Sequence, residues 1–90
     1  MFDYQVVRTG LETLHRAASP LAGYFEDQAA EFIKVGEYSL ALDTIADAYL
    51  NNKVRMPANL FIIFEDLAKA MELDGDPEFD AVAKLRKSQA

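Results

Sequence analysis

Ninety residues, half of them apolar, make one folded domain and exclude intrinsic disorder. The absence of cysteine excludes a disulfide framework and a thiolate metal site, and it fits a reducing compartment. The net charge of −6 is uneven, since residues 1–80 carry all fifteen acids against six bases and the last ten residues carry Lys84, Arg86 and Lys87.

The opening residues, Met1 to Arg8, have no basic region followed by a long apolar run, so no signal peptide is expected. A first helix is predicted from Tyr4, Val7, Leu11, Leu14 and Ala18, which share one face. Ser19-Pro20 reads as an N-cap followed by proline at the first helical position, so a second helix is predicted to start there. Its apolar stripe is Leu21, Phe25, Ala29, Phe32 and Ile33, Lys34 complements its dipole, and Gly36 stops it. A third helix is predicted from about Glu37 to Asn51, burying Tyr38, Ala41, Leu42, Ile45 and Tyr49. Asn51 to Pro57 reads as a connector. A fourth helix is predicted over about Ala58 to Leu73, with Leu60, Phe64, Leu67 and Met71 inward and Ala68 beside them. Asp74-Gly75-Asp76-Pro77 is a turn by composition. Asp76 then starts a short fifth helix with Phe79, Val82 and Leu85 as its apolar side, and the basic tail is expected to fray. The expected fold is all-α: a compact single-domain bundle of four to five short helices over residues 1–90, with a central helical hairpin. Gly36, Tyr38, Ala41, Ile45 and Ala48 match the spacing of a tetratricopeptide helix, but no second copy occurs about thirty-four residues away.

The parts of an active site are few. His15 is the single histidine, and with Glu12 it forms only half of a carboxylate di-iron motif, so it reads as solvent-facing or hydrogen-bonded. Asp74-Gly75-Asp76 hints at a calcium loop, yet Phe79 and Leu85 stand where that loop needs glycine and glutamate. No phosphate-cradling glycine loop and no nucleophile motif occurs. The expectation is a protein that is not an enzyme, with no catalytic residue, no cofactor and no metal site.

Binding is the alternative to catalysis. Phosphate contact needs lysine and arginine, so an acidic body is not expected to bind nucleic acid directly; it suits a basic protein. Acidic surfaces also simply keep small domains soluble. On the fourth helix Ile62 lies opposite the core stripe, flanked by Glu65, Asp66 and Lys69. It is either a stray exposed aliphatic or an apolar anchor ringed by charge, and Phe61 would extend the latter. On the third helix Asp43 and Asp47 are four residues apart, where like charges repel. With Glu37, and with Glu65 across the expected hairpin, they would form an acidic patch. Glu26, Asp27 and Glu31 on the second helix form a rival face.

The segment GEYSLALDTIADAYLNNKVRMPANLFIIFEDLAKAMEL, from Gly36 to Leu73, resembles the core of small MafI-type and CdiI-type immunity proteins. The resemblance rests on Gly36-Glu37-Tyr38, Ala41-Leu42 and Leu67-Ala68 with Met71 and Leu73, and it covers roughly residues 30–73. It implies a cytoplasmic antitoxin of contact-dependent growth inhibition or a related system. Such a protein blocks the C-terminal nuclease domain of a cognate toxin, here expected to be a basic RNase of the EndoU type, by stoichiometric occlusion. The candidate toxin-binding residues are then Glu37, Asp43, Asp47, Ile62, Glu65 and Asp66, on a chain that is a monomer or weak dimer when free and does not meet a membrane. The other reading is a helical-hairpin adaptor with an apolar groove for peptides.

Overall fold

A computed structural model describes residues 3–73 and 75–88. Five helices follow in order: α1 Tyr4–Ala18, α2 Glu26–Lys34, α3 Tyr38–Asn52, α4 Ala58–Ala70 and α5 Pro77–Ser88. The described residues contain no strand, and no described helix is long and apolar enough to cross a membrane.

Helix α1 begins where expected because Asp3 caps it. The Asp3 carboxylate accepts from the backbone N–H groups of Gln5 at 3.0 Å and Val6 at 3.3 Å, a contribution of about 1 kcal/mol. Val7, Leu11, Leu14 and Ala18 are buried as their spacing predicts, whereas Tyr4 is 66% exposed.

The start of the second helix differs from the prediction. Ser19 does not open a helix. It prolongs α1, donating its backbone N–H to the Arg16 carbonyl, while its hydroxyl donates to the Glu26 carboxylate. Turns then follow through Gly23, whose φ of +75° lies outside any right-handed helix. Helix α2 starts at Glu26, so Phe25, expected in the stripe, falls outside it and is 68% exposed. The Asn52 side-chain amide pins this connector to α3 by donating to the Ala22 and Ala48 carbonyls at 2.8 and 2.7 Å.

Helices α2, α3 and α4 end in the same turn. In each, the first or second residue past the helix takes the left-handed conformation, and the next N–H reaches back to a carbonyl of the last turn. The left-handed residues are Gly36 (φ 81°), Lys53 (φ 53°) and Glu72 (φ 59°). The closing bonds are Glu37 N–H to Phe32, Val54 N–H to Tyr49 and Leu73 N–H to Ala68, the last at 2.7 Å. Helix α4 therefore stops at Ala70, short of the predicted Leu73.

Helices α1 and α3 form the centre. Helix α1 lies against α2, α3 and α4, and α3 lies against α1, α2 and α5. The hairpin that closes tightly is α2–α3. Helices α3 and α4, though consecutive, are not a closely packed pair, because α4 lies on α1 instead. Gly10 permits this: a Cβ there would stand 3.2 Å from Ile63 Cγ2 and from both Leu67 methyls. Phe64, buried at the centre of α4, meets Phe79 of α5 edge-on at 5.2 Å. Helix α5 continues to Ser88. Lys84 pairs with Asp80 at 3.2 Å, and the Arg86 guanidinium stands 5.4 Å over the Phe61 ring. Gln89 and Ala90 lie outside the described residues, as does Asp74 of the predicted turn.

Candidate protein-binding face

Of the expected acidic patch, Asp43 and Asp47 lie together on α3, joined by Glu78 rather than by Glu65. Asp43 and Asp47 lie one turn apart on α3, and the α3–α5 seam brings Glu78, from the first turn of α5, beside them. Carboxylate oxygens of the three lie within 4.8 Å of one another. Asp76 is the cap of α5, its carboxylate accepting from the Glu78 N–H at 2.9 Å, and it adds a fourth acid to this corner.

The charge crowding is visible in the protonation equilibria. Burial raises the Asp43 carboxyl above the usual aspartate range, and the Asp76 charge raises it further. Asp47 is raised by burial and then by Asp43. One oxygen of Glu78, Oε1, is shielded from solvent with no hydrogen-bond partner. Leaving such an oxygen unpaired costs stability. The ion pairs Arg8–Glu12, Lys69–Glu65 and Lys84–Asp80 are each within one helix and engage none of these acids. The three clustered carboxylates offer oxygen ligands of the kind a hard cation takes, although exposed acids gather in this way without one.

Glu37 stands at the N-terminus of α3, exposed and making no side-chain cap. It lines a depression of about 320 Å³ with Tyr4, Tyr38, Met71 and Glu72. A second depression of about 190 Å³ shares Ser39 with the first and contains Leu40, Asp43, Leu73 and Asp76. The two form a strip across the start of α3 whose charged lining residues are all acidic.

The candidates on α4 lie elsewhere. Ile62 is 61% exposed, as its position on the helix predicts, and Asp66 is exposed. Glu65 pairs with Lys69 on the edge of a groove between α4 and α5. Because α4 lies on α1, Glu65 does not join the carboxylates of Asp43 and Asp47. The rival acids of α2 are partly engaged, Glu26 by the Ser19 hydroxyl.

His15 is hydrogen-bonded as expected, with Nδ1 at 2.7 Å from the Tyr24 hydroxyl. Burial, then Glu26, holds that hydroxyl above the ordinary tyrosine range. Glu12, the other half of the di-iron pattern, pairs with Arg8.

The residues missed by sequence reasoning are Glu78, Glu72, Tyr4 and Asp76 as members of this face. An acid in the first turn of a helix reads as dipole chemistry, which hides Glu78. No sequence rule places a glutamate in the left-handed position that Glu72 occupies. No protein-family profile matches the chain, and no curated protein or solved structure matches it either.

Proposed function

We propose that this chain is a non-catalytic immunity protein that binds a basic toxin domain through the α3–α5 face. The observation that carries the reading is the crowding of Asp43, Asp47, Asp76 and Glu78 at one corner, with the acidic strip continuing to Glu37 and Glu72. Crowded like charges weaken the free protein, and a cationic surface laid over them reverses the sign of that term. A nuclease cleft that attracts phosphate has such a surface. The resemblance of Gly36–Leu73 to MafI-type and CdiI-type immunity proteins points to the same class of partner, an EndoU-type RNase domain.

Titration calorimetry against the C-terminal domain encoded immediately upstream of this gene tests the proposal. A one-to-one complex of nanomolar or tighter affinity, with loss of that domain's nuclease activity, is the expected result. No binding at tens of micromolar would remove the toxin reading for that neighbour.

One observation favours a second reading, the peptide adaptor. The groove between α4 and α5, about 340 Å³, is lined by Phe61, Phe64, Phe79, Ala68 and Ala83, with Lys69 and Lys87 among its charged members. Micromolar binding of amphipathic helical peptides there, without any toxin partner, would move the assignment to the adaptor.

A further inference from the structure

The depression where α3 starts and α4 stops combines two features. Tyr4 and Tyr38 stand beside each other with ring centroids 6.2 Å apart and planes tilted by 48°. The charged residues lining the same hollow are Glu37 and Glu72. Two other concavities carry both signs: Lys69 and Lys87 with Glu65 and Asp80 between α4 and α5, and Arg8 and Lys34 with Glu12 between α1 and α2. Two more have only acids among their charged residues, Asp43 with Asp76 and Glu26 with Asp27, but the tyrosine pair belongs to this hollow. The hollow is open and about 320 Å³, with Ala70 and Met71 supplying apolar surface. A cation on a flexible apolar stem suits this lining. The stem covers Met71 and the ring faces, and the charged head meets the π-systems and the carboxylates.

We propose that this hollow receives an arginine or lysine side chain of the protein partner, its cation held between the Tyr4 and Tyr38 rings and the carboxylates of Glu37 and Glu72. The proposal rests on the reading that the chain binds a basic protein, and it assigns one anchor within that interface. Charge complementarity selects the occupant: the acidic lining disfavours an anionic group, and the polar rim disfavours a purely apolar one.

The test uses the full chain and two probes, N-acetyl-arginine methylamide and N-acetyl-lysine methylamide, followed by amide chemical shifts at low salt. The expected result is saturable millimolar binding, with shifts concentrated at the lining backbone of residues 36–39 and 70–72. The double substitution E37Q/E72Q should weaken it roughly fivefold or more, and Tyr4→Leu about threefold, while E12Q has no effect. Shifts spread evenly beside every exposed acid, or binding unchanged in E37Q/E72Q, would overturn the proposal. Calorimetry with the upstream-encoded domain separates this outcome from failure of the function. If E37Q/E72Q binds that domain as tightly as the parent while reversal of Asp43 and Asp47 weakens it, the anchor is wrong and the toxin reading stands. If the probes bind at the hollow and the domain does not bind at all, the basic-side-chain pocket stands and the toxin reading falls.

Discussion

The seam between α1 and α4 and the seam between α3 and α5 are built on opposite terms. At the first, Ile63 and Leu67 close onto the bare backbone at Gly10. At the second, Phe79 and Val82 are buried, yet the edge gathers Asp43, Asp47, Asp76 and Glu78. Packing explains the first seam entirely. It does not explain why the second tolerates repulsion and a shielded, unpartnered carboxylate oxygen. The difference separates what holds the molecule together from the face proposed to meet a partner.

The largest expected effect breaks the first seam. Gly10→Val forces methyl groups into a space already 3.2 Å from its neighbours and should destabilise the fold by about 2 kcal/mol or more. The urea midpoint should fall with an unchanged slope. An unchanged midpoint would mean that the seam is looser than its geometry implies.

Next comes the second seam. Asp43→Lys with Asp47→Lys should weaken toxin binding by about 10- to 100-fold, chiefly in the association rate, while leaving the urea midpoint equal or higher. Equal affinity for parent and variant would show that this is not the binding face.

A smaller effect sharpens the comparison at the helix ends. Helices α3 and α4 close with the same turn, on Lys53 and on Glu72. The cation suits a helix C-terminus and the anion does not. Glu72→Gly should therefore stabilise the protein by about 0.5–1 kcal/mol, since glycine takes φ 59° without strain. Lys53→Gly should gain less, because it also removes a favourable charge. Thermal unfolding of the two variants side by side reads the difference.

The smallest effect is set by pH. Asp43 and Asp47 have folded pKa values above their unfolded ones, so in that window the folded state holds more protons. Their contribution is unfavourable at neutral pH and is relieved as the pH falls through the folded values. Asp43→Asn with Asp47→Asn should stabilise the protein by a few tenths of a kcal/mol at pH 7. That advantage should shrink as the pH falls through the raised folded values, where the parent carboxyls take up their protons. A gap that persists in acid would place its cause in packing rather than charge.

How much of this was legible depends on the kind of signal. The burial of Leu42, Ile45, Phe64 and Leu67 follows from period alone, as does the exposure of Ile62. The beginning of α2 was misread because Ser19-Pro20 is a strong local start signal, and Gly23 overrides it only through its backbone angle. Gly10 was silent because a glycine inside a helical pattern shows its use only when another helix approaches it. The acidic patch was half legible: Asp43 and Asp47 declare themselves by spacing, but Glu78 reaches them only through the pairing of α3 with α5. Glu65 belongs to that patch only if the consecutive helices α3 and α4 pair, and the position of α4 on α1 removes it.

The order in which the helices meet has a consequence for synthesis. Helices α1, α2 and α3 touch one another in chain order, so their contacts close over short stretches. Helix α4 must return to α1 across α2 and α3, and α5 to α3 across α4, so the α1–α4 docking closes the longest loop of the fold. Helices α1, α2 and α3 without the last third of the sequence would leave the α1 surface around Gly10 uncovered. The last third of the sequence then covers that surface and, with the arrival of Glu78, completes the acidic corner. The corner proposed to meet a partner therefore depends on the last helix, and a chain truncated before α5 would lack Glu78 from it.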